Sequence, residues 1–137
     1  MTQDQITLVR SSFARVVPIS EQAAGLFYDR VFELAPQVRP LFKGDLREQG
    51  RKLMAMLGTI TAKLDDLDTL VPAAQQLARR HVNYGVEPAH YAVVGQALID
   101  TLARGLGDDF TPDTRAAWQT AYATLSGVMI DAAARPQ

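Results

Sequence analysis

Apolar residues along this chain recur at three- and four-residue intervals, and no stretch alternates with period two. Ile6, Val9, Phe13, Val16 and Val17 share one helical face, and Thr2 with Gln5 three residues later reads as a capping box at its start. A second pattern begins near Ser20, carries Leu26, Phe27, Tyr28, Val31 and Phe32, and runs to Leu34. Pro36 to Phe42 is too short for more than a turn or two, and Lys43-Gly44-Asp45 is a loop. From about Arg47 the periodicity returns, with Gln49, Leu53, Met56, Leu57 and Ile60 on one face through Ala62.

Asp65-Asp66-Leu67-Asp68 reads as a polar connection, and Pro72 suits the first turn of the next helix. That helix carries Ala74, Leu77, Ala78 and His81 at i, i+3, i+4 and i+7 and ends at Gly85. Pro88 opens a longer pattern with Tyr91, Val94, Leu98, Thr101 and Leu102, closing at Gly105-Leu106-Gly107. Thr111-Pro112 is a cap followed by proline at the first helical position, and Trp118, Tyr122, Leu125 and Met129 form the last stripe. The pattern predicts an all-α domain of six main helices plus a short one, with the prolines separating helices rather than interrupting them.

Composition narrows the chemistry. The chain has 137 residues, enough for one hydrophobic core, and a net charge of -1 with its basic residues scattered. It therefore lacks the basic footprint of a nucleic-acid or anionic-membrane binder. The absence of cysteine excludes disulfides, iron–sulfur clusters and thiol catalysis. The first residues lack the basic and apolar regions of a signal peptide, and no apolar run approaches the ~18 residues of a membrane span. A cytoplasmic protein is expected.

His81 is the most informative residue. On spacing alone, an imidazole in line with an apolar stripe is either a satisfied core histidine or a ligand to a group held in the interior.

Several motifs, in their joint order and spacing, carry a family resemblance. They are Leu26-Phe27-Tyr28, Arg39-Pro40-Leu41-Phe42, Gln49 followed by Lys52-Leu53, and Arg80-His81 followed by Tyr84-Gly85-Val86. They continue in His90-Tyr91, Val94-Gly95 and Gly107-Asp108-Asp109-Phe110-Thr111-Pro112 leading to Ala117-Trp118. In these the chain resembles the globin family, and within it the bacterial single-domain globins, the globin half of flavohaemoglobins and the neuroglobins. The resemblance implies a globin fold around a haem pocket, with residues 1–137 forming a single globin domain and haem b as cofactor.

It further implies that His81 is the proximal iron ligand, its second nitrogen bonded to the Leu77 carbonyl. Phe42 matches the phenylalanine wedged against the porphyrin; Leu53 and Leu57 match the distal helix, and Val86 and Val94 match proximal haem contacts. Tyr28 and Gln49 resemble the tyrosine–glutamine distal pocket of bacterial globins. Lys52 and Arg80 either reach the haem propionates or are solvated. Tyr91 matches the tyrosine behind the proximal histidine of flavohaemoglobins, but Ala133 stands where those proteins have glutamate. Their flavin and nicotinamide domains are not expected here.

The expected function is reversible binding of dioxygen, carbon monoxide and nitric oxide at a five-coordinate ferrous haem, for oxygen binding, transport or storage. One alternative is a nitric oxide dioxygenase served by a separate reductase. Another is a haem-based sensor or interaction module. His90, in the first turn of its helix, is expected to be exposed rather than a ligand.

Overall fold

The computed structural model describes residues 2–42, 44–83 and 88–134, with the side chains of all of these except 81–83, 88, 133 and 134. Among the described residues the secondary structure is entirely helical. Six α-helices follow one another: α1 Gln3–Val16, α2 Ser20–Leu34, α3 Leu46–Ala62, α4 Leu67–Asn83, α5 Pro88–Leu106 and α6 Pro112–Ala134. Short 3-10 turns at Val17–Ile19, Pro36–Leu41 and Gly107–Asp109 join them.

The helix starts follow local chemistry. The Thr2 hydroxyl accepts from the Gln5 amide at 3.1 Å while the Gln5 side chain accepts from the Thr2 amide at 2.9 Å, so two amides at the start of α1 are satisfied reciprocally. Asp45 caps α3 by accepting from the Arg47 amide, after Gly44 turns the chain at φ +86°, a conformation that suits glycine. Thr111 caps α6 by accepting from the Thr114 amide, with Pro112 as its first residue.

One boundary differs from expectation. α4 begins at Leu67, so Leu67 and Asp68 belong to a helix rather than to a polar connection, and Pro72 lies inside that helix. The cause is Asp66, whose carboxylate accepts from both the amide and the hydroxyl of Thr69 and so starts the helix one turn before the proline.

The helices bury two apolar clusters. The larger joins Ile6, Val9 and Phe13 of α1, Phe27 and Val31 of α2, Leu98 and Leu102 of α5, and Trp118 of α6. The Trp118 indole N–H donates to the Ser12 hydroxyl at 2.8 Å, which satisfies two buried polar groups at once. The smaller gathers Ala74 and Ala78 of α4, Tyr91 of α5, and Met129 and Ala132 of α6. Arg10 ties α1 to the far end of α3: its guanidinium donates to the carbonyls of Thr61 and Ala62 and pairs with Asp65 at 2.8 Å. A cation on the last carbonyls of a helix is favourable, and it anchors the turn that swings the chain from α3 into α4.

Candidate functional site

The site is organised by what α3 and α4 do not share. α3 packs on α2 and α1, α4 packs on α6, and among the described residues the two consecutive helices have no substantial contact with each other. The apolar face of α3 is consequently covered only in part. Leu53, Met54, Met56, Leu57 and Ile60 are all half-buried, and the fully buried positions of the helix are the small residues Gly50 and Thr61. A helix with this much apolar surface normally sinks it into the core. Among the described residues α4 does not supply that missing cover.

Tyr28 approaches α3 from α2. Its ring is 7% exposed and meets Phe42 edge-on at 5.5 Å and Phe27 at 5.4 Å, with Phe32 stacked at 6.4 Å. Burial pushes the phenol above its ordinary ionisation range, so the hydroxyl keeps its proton well past neutrality. Gly50 allows the approach. A Cβ at that position would lie 2.8 Å from the Ala24 Cβ and 3.7 Å from the Tyr28 ring, so only glycine lets α2 and α3 cross this closely. Gln49 precedes it, half-buried, with its amide nitrogen beside Gly44.

The expected site residues divide between the two clusters. Tyr28 belongs to the larger one, with Phe42, Leu53, Leu57 and Val94 packed against it half-buried. Tyr91 belongs to the smaller one, with Leu77 packed against it. Lys52 and Arg80 are both exposed, whereas His90, expected to be exposed, is half-buried at the start of α5. α4 carries the backbone of His81 in its last turn, while the His81 side chain and the whole of Val86 lie outside the described residues.

Tyr91 is 8% exposed, its hydroxyl is buried with no hydrogen-bond partner among the described residues, and burial pushes its ionisation above the ordinary phenol range. Its backbone carbonyl accepts from the Tyr122 hydroxyl at 2.6 Å. The Tyr122 ring in turn packs against Gly95, where a Cβ would lie 2.5 Å from its nearest atom. Sequence reasoning did not assign roles to Gly50 or to the Gly95–Tyr122 contact. Their one-dimensional signal is a glycine in the interior of an amphipathic helix, where it weakens the helix and so calls for a packing reason.

The described residues contain no group of three or more histidine, cysteine or acidic side chains suited to a bare metal ion. None of the described helices is long and apolar enough to cross a membrane.

A family model described as Globin matches residues 25–129. The flavohemoprotein of Vibrio cholerae is 31% identical over 138 residues, covering 96% of this chain and 34% of the relative. That of Bacillus subtilis is 28% identical over 128 residues, covering 91% and 32%. The chain thus spans about a third of the length of these curated relatives. Among solved structures, a bacterial globin from Campylobacter jejuni superposes with a TM-score of 0.85 at 25% identity, covering 96% of each chain. An engineered carbene transferase, from a candidate nitric oxide dioxygenase of Rhodothermus marinus, superposes with a TM-score of 0.87 at 27% identity, covering 98% of this chain and 94% of that one.

Proposed function

This chain belongs to the globin family, whose cofactor is haem b, and on that premise we propose that it binds dioxygen and other diatomic gases reversibly, with His81 as the protein's iron ligand and Tyr28 and Gln49 on the opposite side. The half-covered apolar face of α3, apart from α4, is the observation that carries this reading. Leu53 and Leu57 of α3, Phe42 before it, and Leu77, Val86 and Val94 on the other side would hold the porphyrin. Lys52 and Arg80, exposed on α3 and α4, would be the candidates to pair with its propionates.

Haem b, when bound, would supply a ferrous iron that accepts a diatomic gas. The chain decides which gas is favoured. The Tyr28 hydroxyl, protonated because it is buried, is the stronger donor, and the Gln49 amide the second. Both reward dioxygen over carbon monoxide, the poorer hydrogen-bond acceptor. The Phe27, Phe32 and Phe42 rings exclude water from around Tyr28, which strengthens such bonds. An amide is a poor ligand for ferrous iron, so Gln49 would act as a hydrogen-bond donor and not as a second ligand.

A second reading, nitric oxide dioxygenase activity with a separate reductase, is favoured by the likeness to flavohemoproteins and to the candidate nitric oxide dioxygenase. Nitric oxide consumption over many turnovers, with and without cell extract, distinguishes the two readings. The test of the first is His81→Ala. Loss of haem, restored by added imidazole, is the expected result, and full haem content with a wild-type ferrous spectrum would contradict it.

A further inference from the structure

We infer that the chain has a second ligand site, apart from the haem pocket, which takes a linear aliphatic molecule with a neutral hydroxyl head. A cavity of about 320 Å³ lies where α1, the α3–α4 turn, the start of α4 and α6 converge. Its walls are aliphatic: Ile60 and Leu64 on one side, Val71 and Ala74 of α4 on another, Ala121 and Val128 of α6 on a third. Ile60 is shared with the half-covered face of α3, but none of the residues named for the porphyrin or the gas lines the cavity.

Size and shape select the ligand. The lining on α6 runs from Ala121 to Val128, about 10 Å at 1.5 Å per residue. The volume is about twice the ~150 Å³ of an apolar cavity that holds benzene. A space of this capacity suits an alkyl chain of roughly eight carbons, and its mainly aliphatic lining favours an apolar guest over water.

The polar part of the lining selects the head group. It consists of Gln3, Asp65 and Thr124, the last between Ala121 and Val128 on α6, and Leu67 of the same lining is 49% exposed. Asp65 is paired with Arg10 at 2.8 Å, and Arg10 directs further donors to the Thr61 and Ala62 carbonyls. The pair balances its own charge, so the lining favours neither a carboxylate nor an ammonium head. The Thr124 hydroxyl donates to the Thr120 carbonyl, which leaves its lone pairs to accept from a ligand hydroxyl.

The experiment uses the haem-loaded protein saturated with carbon monoxide, titrated with 1-octanol and, separately, with octanoate and octylammonium. We expect one octanol per chain, an unmoved Soret band, and slower amide exchange at 70–74 and 121–128. The charged analogues should bind at least tenfold more weakly. Ala121→Leu, which fills the cavity, should weaken octanol binding at least tenfold; if that variant does not fold, Val71→Phe tests the same point from the opposite wall. No binding up to the solubility limit of octanol, binding undiminished in the folded variant, charged heads bound as tightly, or a shifted Soret band would each overturn the inference.

Discussion

Gly50→Ala tests whether the crossing of α2 and α3 sets the position of Tyr28. The new methyl would start 2.8 Å from the Ala24 Cβ, on a neighbouring helix where a methyl attached to backbone cannot swing aside. Relief requires α3 to move away from α2 by several tenths of an ångström. Overpacking of this kind costs about 1–3 kcal/mol, against a gain of about 1 kcal/mol from replacing glycine by alanine inside a helix. Gly25→Ala is the matched control: it lies within α2, exposed, and its Cβ would meet nothing within 4 Å. The control should gain about 0.5–1 kcal/mol in urea unfolding, and Gly50→Ala should fall below it by about 1–3 kcal/mol. Because the same displacement carries Gln49 and the wall beside Tyr28, Gly50→Ala should also speed dioxygen release, while Gly25→Ala leaves it unchanged. Equal stabilities for the two variants, with equal release rates, would refute the reasoning.

Tyr28→Phe should speed dioxygen release by roughly one to two orders of magnitude, since a hydrogen bond with charged character contributes about 1.5–3 kcal/mol, and carbon monoxide release should change less. Burial raises the Tyr28 ionisation, so the wild-type release rate measured by stopped flow should stay flat with pH up to about 10, the ordinary phenol value, and beyond. Tyr91→Phe removes a buried hydroxyl that has no partner among the described residues and should leave the unfolding free energy unchanged or raise it by up to about 1 kcal/mol. A loss of 2 kcal/mol or more would mean that this hydroxyl is bonded in solution.

Much of this architecture is legible along the chain because helix boundaries are local events. Thr2, Asp45 and Thr111 cap the helices they precede, and Pro112 stands where its missing N–H costs nothing. Pro72 misleads for the same reason: it fits a helix start equally well, and only the bonds from Thr69 to Asp66 reveal that the helix is already under way. Contacts between helices are a different matter. Nothing in the spacing of Gly50 or Gly95 says which neighbour needs the room, because Ala24 and Tyr122 are distant in sequence and reach them through the crossing of whole helices. The departure of α4 from α3, on which the site depends, is likewise a property of the packing.

The central claim is a haem held by His81 with an open position opposite. Its most direct test is the absorption spectrum of the purified, reduced protein before, during and after exposure to dioxygen. The account predicts a five-coordinate, high-spin deoxy spectrum with one broad visible band, two bands under dioxygen, and full return to the first spectrum when the gas is removed. A deoxy form with the sharp, split visible bands of low-spin six-coordinate iron, or a protein without a Soret band after incubation with haem, would contradict it.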